Sequence, residues 1–215
     1  MTLPFSRSEF LAVFAAYNEA IWPLQLVYFA AGLLAIGLLF YRPSWADRAI
    51  SAVLAVFWLT MAIAYHWTFF APVNPAANLF GGIFLLQAGL LVIEGLARNR
   101  IHYGGASAVR SWIGGSLIAY GIAIYPLIGL LISHPYPSTP LFGVAPCPTT
   151  LFTLGLLILA RYPKPLVIAL VPLAWSVIGG SAAILLGVPE DWALFGALVA
   201  WTGLALGESR TWRLR

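Results

Sequence analysis

The chain has 215 residues, of which 61% are apolar and only 8% carry a charge, and its formal net charge at pH 7 is +4. Soluble domains contain roughly 25% charged residues, so this composition excludes an ordinary soluble domain and indicates a membrane protein. The basic residues are thinly spread between apolar blocks, which excludes a nucleic-acid-binding surface. The single cysteine excludes an internal disulfide framework and a CxxC motif.

The first 20 residues predict a short amphipathic helix. Ser6 and Glu9 have the spacing of a capping box, in which each side chain satisfies a backbone N–H of the other residue. Phe10, Phe14 and Tyr17 follow at helical spacing and form one apolar stripe. We expect this helix to lie on the outer membrane surface or over the bundle, as an anchor or as a lid.

Seven apolar runs follow, each a candidate for a membrane-spanning helix. A helix that crosses the hydrocarbon layer needs about 20 mostly apolar residues, with its backbone hydrogen-bonded internally. The runs are 21–41, 49–70, 75–97, 112–133, 148–161 (extended backwards by LFGVAPC), 165–188 and 191–207. The predicted fold is all-α, a polytopic membrane bundle in one integral-membrane domain, 1–215. It comprises the outer helix (1–20), seven transmembrane helices (21–207) and a basic cytoplasmic tail (208–215).

The charges of the connections orient these spans. Lys and Arg collect in cytoplasmic loops, and the first, third and fifth connections and the tail contain ten of the eleven basic residues. They are Arg42, Arg48, Arg98, Arg100, Arg110, Arg161, Lys164, Arg210, Arg213 and Arg215. The remaining one, Arg7, precedes the first span. The pattern predicts an N-terminus outside and a C-terminus in the cytoplasm.

Uncommon polar residues concentrate near the predicted outer end. A chain that merely spans the bilayer has no physical need for them, whereas a cavity that opens outward would use them. Gln87 lies near the middle of the third span, where an amide needs partners inside the bundle. The predicted ligand-binding residues are Asn18, Gln25, His66, Asn74, Asn78, Gln87, Thr149 and Thr150.

Metal or haem binding is a weaker alternative at the same end. Two histidines, His66 and His134, end like-directed helices and could hold a b-type haem, or a metal together with Cys147 and Glu190. Each residue also has a purely structural interpretation. His66 lies in an aromatic interfacial belt, His134 is at a helix end before a proline, and Glu190 would face a helix N-terminus.

Three motifs carry a family resemblance: AAYNEAIWP, AYHWTFFAPVNPAANLF and FGVAPCPTTLFTLGLLILAR. On the basis of these motifs, nearly the whole chain resembles an uncharacterised family of bacterial multi-pass membrane proteins, described as a domain of unknown function. The resemblance implies a location in the bacterial inner (cytoplasmic) membrane. It implies no activity and no site residue.

Three functions are compatible with the sequence. The leading hypothesis is a membrane protein that binds or translocates a small solute or ion through an outward-opening polar cavity. The first alternative is a non-catalytic accessory or sensory subunit that packs against a membrane partner or a second copy of itself. The second is a haem- or metal-binding redox protein. The sequence matches no catalytic motif, so we expect neither an enzyme activity nor a cofactor.

Overall fold

The computed structural model describes residues 4–132 and 135–212, and these residues form eight helices. The helices are α1 (Arg7–Ala20), α2 (Leu24–Tyr41), α3 (Ala46–Phe70), α4 (Ala77–Ala97), α5 (108–132), α6 (Pro146–Leu159), α7 (Pro165–Leu186) and α8 (Ala193–Trp212). Pro189–Trp192 form a 3₁₀ turn before α8. The predicted helical class is therefore confirmed.

Five of the helices are long and apolar enough to cross a membrane: α2, α3, α4, α5 and α7. This indicates a membrane protein. Helix α6, within the fifth predicted span, has only 14 residues. At 1.5 Å per residue such a helix is about 20 Å long, shorter than the roughly 30 Å hydrocarbon layer.

Helix α6 occupies the centre of the molecule. All of its residues from Pro146 to Ile158 are buried, as expected for a helix that is apolar on every side and enclosed by others. It packs against α5, α7 and α8. The contact with α5 is a backbone contact, because a Cβ added to Gly114 would lie 2.8 Å from the carbonyl oxygen of Gly155.

The amphipathic helix is confirmed as α1. The backbone N–H of Glu9 donates to Ser6 Oγ at 3.3 Å, and the Ser6 N–H donates to Glu9 Oε2 at 2.7 Å. This backbone hydrogen bond from Ser6 is the main cause that lowers the pKa of Glu9 below its ordinary value. Because α1 packs against the last turns of α3, it covers one end of the bundle.

Three of the long helices change to wider π-helical turns, at Met61–Phe70 in α3, Leu91–Ala97 in α4 and Tyr120–Ile124 in α5. The helical pattern in the sequence does not indicate these changes. Segments of this kind often mark functional sites, and the first of them contains His66.

The all-α prediction misses one small strand pair. His102–Tyr103 (β1) and Ala160–Arg161 (β2) pair in antiparallel fashion at the end of the bundle opposite α1. Asp47 accepts a hydrogen bond from the backbone N–H of Tyr103 at 2.9 Å and holds the pair against α3. Burial raises the pKa of the Tyr103 phenol above its ordinary value.

Candidate functional site

A cavity of about 400 Å³ lies under α1, between the end of α3 and helix α7. Most of its surface is apolar. Seven aromatic side chains line it: Phe5, Phe10, Phe14, Tyr65, Phe70, Phe80 and Trp175. Aliphatic residues of α7 complete the apolar wall, and the polar lining consists of Asn74, Cys147, Ser181 and Asp191. The leading hypothesis predicts a polar cavity, whereas the lining of this cavity is mainly apolar.

Helix α1 and the residues before it form the cover of this cavity. Phe5 meets Phe70 edge to face, with 5.3 Å between ring centroids, and Phe14 stacks on Tyr65 at 5.0 Å. Such aromatic pairs add about 0.5–1.5 kcal/mol beyond the burial of their area. The phenylalanine stripe in the sequence thus faces the bundle, and part of it forms a cavity wall.

The polar end of the cavity is organised around Asp191. This residue is 3% exposed and accepts a hydrogen bond from the hydroxyl of Tyr125, a residue of α5. The thiol of Cys147, at the start of α6, lies within hydrogen-bonding reach of the same carboxylate. Asn74 lies on the lining too, and its Oδ1 accepts the backbone N–H of Ala76 at 3.2 Å. Side chains of α5 and α6 therefore meet the buried carboxylate of the 3₁₀ turn before α8.

His66 lies just behind the aromatic wall. It is fully buried, and its ring centroid is 4.5 Å from that of Phe84 and 5.2 Å from that of Trp175. Neither ring nitrogen has a hydrogen-bond partner in the described structure. An unsatisfied buried polar group costs about 1–3 kcal/mol. The imidazole therefore occupies a position that a hydrophobic ring would fill at lower cost.

Asn18 and Gln25 have partners away from the cavity. The side-chain amide of Asn18 donates to the carbonyl oxygens of Pro137 at 2.6 Å and Thr139 at 2.8 Å. Gln25 Nε2 donates to the backbone oxygen of Asn18 at 2.7 Å. Asn18 thus holds the loop before α6 against α1, and Gln25 joins the start of α2 to the end of α1. Both side chains therefore position the cover and not the cavity lining.

The two adjacent threonines of α6 differ from each other. Both are fully buried, but Thr149 Oγ1 accepts the backbone N–H of Gly143 at 3.0 Å, whereas Thr150 Oγ1 has no partner in the described structure. Gly143 has a φ of +83°, a conformation that favours glycine, in the turn before α6. Thr149 thus stabilises this turn.

Gln87 and Asn78 lie on α4 in very different surroundings. Gln87 is fully buried, and its Nε2 donates to the carbonyl oxygen of Ile168 at 3.0 Å, which links α4 to α7. Asn78 is exposed, and its side chain donates to Pro75 within its own turn at 3.2 Å. Of the eight predicted residues, the structure brings Asn74 to the cavity and His66 to its wall, and it places the other six elsewhere.

Among the described residues, the structure does not gather the predicted metal ligands His66, Cys147 and Glu190 into a metal site. His134 lies outside the described residues. In the part of the chain that the structure describes, no group of three His, Cys, Asp or Glu side chains is placed to hold a metal ion. Cys147 lines the cavity, whereas Glu190 is fully buried and its backbone oxygen accepts the hydroxyl of Tyr120 at 3.0 Å.

The sequence reasoning missed Asp191, Tyr125 and Trp175. Asp191 is an acidic residue near the predicted outer end, but its position before a helix is equally explained by the helix dipole. Tyr125 and Trp175 resemble any aromatic residue in an apolar span. A usable signal was the phenylalanine stripe of α1, which indicates an aromatic surface facing the bundle.

The opposite end of the molecule is held by ion pairs. Glu94 pairs with Arg98, which follows it by four residues and is therefore within reach on the same helical face, and with Arg100 at 3.3 Å. The hydroxyl of Tyr162 also donates to Glu94 at 3.0 Å. Arg110 donates to the carbonyl oxygen of Ile158 at 2.8 Å. The basic residues here thus stabilise helix ends.

Comparison with protein families places the chain in a family of unknown function. The model of a family of unknown function, DUF6064, matches residues 7–215, which is nearly the whole chain. The chain therefore belongs to this family, and the resemblance inferred from its motifs is confirmed. No curated protein and no solved structure matches it.

Proposed function

We propose that this DUF6064 protein is an integral membrane protein that binds a small, largely apolar molecule with one polar group in the cavity beneath α1. The observation that carries the proposal is the lining: a continuous aromatic and aliphatic wall that ends at Asp191, Cys147 and Asn74. Pockets for small ligands are mostly apolar, with a few polar groups that fix orientation. A strongly hydrated solute or inorganic ion would lose its hydration shell on entering this cavity and would gain only a few polar contacts in return, so its binding would be unfavourable.

Binding fits this architecture better than passage through the bundle. Below the cavity lie the fully buried side chains of Trp58, Phe84 and Leu154. Trp58 and Phe84 contact each other with 4.5 Å between ring centroids. A solute that crossed the bundle would have to displace this packed layer. We therefore favour a binding role over translocation.

The proposed topology has seven crossings, with the cavity at the outer face of a bacterial inner membrane. Helix α8 supplies one of the two crossings beyond the five long helices, and the short helix α6, extended backwards by the buried residues 142–145, supplies the other. Support comes from the distribution of charge, because Arg42, Arg98, Arg100, Arg110 and Arg161 gather at the end opposite the cavity. Cytoplasmic ends collect basic residues in this way.

The single cysteine provides the test of binding, because Cys147 lines the cavity. Protein in lipid nanodiscs is treated with N-ethylmaleimide, and labelling is followed by intact-protein mass spectrometry. The probe is tert-butylbenzene, a small apolar molecule. We expect it to slow the labelling of Cys147 saturably. The cavity-filling change Ala182→Phe should abolish this protection.

A matched reporter controls for effects of the probe on the bilayer. In the double variant Cys147→Ala, Asn78→Cys the thiol is exposed outside the cavity, so tert-butylbenzene should leave its labelling unchanged. Unchanged labelling of Cys147 at saturating probe would contradict the proposed binding function. Equal slowing at both reporters would contradict it as well, because the effect would then arise in the bilayer.

A further inference from the structure

We infer that a second cavity, at the end of the molecule opposite α1, binds the phosphate head group of an anionic phospholipid. This cavity has a volume of about 470 Å³ and lies between the end of α4 and the start of α7. Its described lining contains three basic side chains, Arg98, Arg100 and Lys164, against one acidic side chain, Glu94. The site is separate from the cavity beneath α1 and goes beyond the function proposed there.

The turn after α4 brings two guanidinium groups to one carboxylate. Arg98 and Arg100 are two residues apart, and side chains at this spacing do not face each other on a helix. Helix α4 ends at Ala97, however, and Asn99 has a φ of +48°, a left-handed conformation that asparagine tolerates. The backbone N–H of Arg100 consequently turns back and donates to the carbonyl oxygen of Glu94 at 2.8 Å. Both guanidinium groups therefore lie close together, each on one oxygen of the Glu94 carboxylate.

Glu94 uses only a part of the donors that these two arginines offer. Each guanidinium donates to Glu94 through Nη1, and its other nitrogens have no hydrogen-bond partner among the described residues. The side chains of Arg98 and Arg100 are 54% and 56% exposed. Lys164 is also exposed and adds a third positive charge to the lining. Because the fork of a guanidinium group matches the oxygens of a phosphate group, this lining suits a phosphate that carries net negative charge.

The remaining lining favours a lipid as the carrier of that phosphate. Leu90 of α4 and Val167 of α7 form an apolar part of the cavity, and Val167 is 44% exposed on a helix long enough to cross the membrane. Tyr162 also lines the cavity, and such amphipathic rings are typical of the membrane interface. Basic pockets between membrane helices bind anionic head groups in this way. Soluble phosphate esters share the charge but have no acyl chain for the apolar part.

The test measures lipid binding to the full-length protein in detergent micelles by native mass spectrometry, which counts the lipids bound to each molecule. The probes are dioleoylphosphatidylglycerol, which has a net negative charge, and dioleoylphosphatidylcholine, in which a cationic group cancels the charge of the same phosphate. We expect a lower Kd for the first phosphatidylglycerol molecule than for the first phosphatidylcholine molecule.

Charge-neutralising variants locate the site. Lys164→Gln and Arg100→Gln should each raise the Kd for phosphatidylglycerol about fivefold, because each removes one positive charge beside the phosphate. Arg48→Gln is the matched control: it removes an exposed positive charge at the same end of the molecule but outside the cavity lining, so it should leave this Kd unchanged. Should Arg100→Gln not fold, Lys164→Gln decides alone, because Lys164 is exposed and its amino group has no hydrogen-bond partner among the described residues.

Two results would overturn the inference. Equal Kd values for the two lipids would show that the site does not select an anionic head group. An equal effect of Arg48→Gln and Lys164→Gln would show that the lipid responds to the overall charge and not to this cavity. Protection of Cys147 by tert-butylbenzene should be the same in Lys164→Gln as in the unaltered protein, so this inference and the proposed function fail independently.

A competition experiment separates the two sources of the phosphate. Glycerol 3-phosphate carries the phosphate without acyl chains, and it is added in increasing amounts to the complex with phosphatidylglycerol. We expect the lipid to stay bound at a large excess of glycerol 3-phosphate. Half-displacement at a concentration near the Kd of the lipid would identify a soluble phosphate compound as the ligand, and the assignment to a lipid would be wrong.

Discussion

The adjacent residues Thr149 and Thr150 allow a sharp test of how this structure uses its buried polar groups. Both side chains are fully buried on α6, and valine has nearly the shape of threonine. Thr149→Val removes the acceptor of the Gly143 N–H, which lies 3.0 Å from Oγ1, and leaves that N–H buried without its partner. Thr150→Val removes a hydroxyl that has no partner in the described structure.

The two substitutions should change the free energy of unfolding in different ways. A buried donor left unsatisfied costs about 1–3 kcal/mol, whereas replacing an unpartnered hydroxyl by a methyl group is neutral or stabilising. Thr149→Val should therefore destabilise the protein by about 2 kcal/mol relative to Thr150→Val. The assay is reversible unfolding in mixed micelles with increasing dodecyl sulfate, with the fraction folded followed by near-ultraviolet circular dichroism.

The same variants test the role of these residues in binding. Neither threonine lines the cavity, so both variants should keep the protection of Cys147 by tert-butylbenzene. Equal destabilisation by the two changes would refute the assignment of hydrogen-bond partners. Loss of protection in a folded Thr150→Val variant would instead support the sequence-based hypothesis that Thr150 binds the ligand.

Three further predictions concern packing, the buried histidine and topology. Gly114→Ala should destabilise by about 1–3 kcal/mol because its Cβ would meet a backbone oxygen of α6, whereas Gly115→Ala, with open space around it, should stabilise by up to about 1 kcal/mol in the same unfolding assay. His66→Phe should maintain or raise the unfolding midpoint, since it replaces an unpartnered ring by an apolar one; a large loss of stability would show that the imidazole has a partner. In cells expressing a Cys147→Ala protein, an impermeant maleimide should label Asn78→Cys from outside but not Ser107→Cys, and the reverse pattern would contradict the proposed orientation.

The sequence predicted those parts of the molecule that depend on local chemistry. The capping box of Ser6 and Glu9 and the Glu94–Arg98 pair are each determined by residues within one helical turn, and the structure contains both. The apolar runs likewise correspond to helices, because an uninterrupted apolar stretch has few other ways to satisfy its backbone in a membrane.

The parts that could not be predicted depend on which side of a helix faces the interior. In a membrane helix the lipid-facing side is as apolar as the core, so periodicity does not distinguish the buried Trp175 from Val177, which is 46% exposed. The strand pair of His102–Tyr103 with Ala160–Arg161 joins distant segments of only two residues each. The convergence of Tyr125, Cys147 and Asp191 is likewise set by tertiary packing.

The central claim is that the cavity beneath α1 binds a small, largely apolar molecule. The most direct measurement is a crystal structure of the protein with 1-bromo-4-tert-butylbenzene, in which anomalous scattering locates the bromine atom. We expect one bromine peak between Phe70 and Trp175, and none there in the Ala182→Phe variant. Bromine peaks confined to the lipid-facing surface, with the space beneath α1 filled by the protein's own side chains, would contradict the claim.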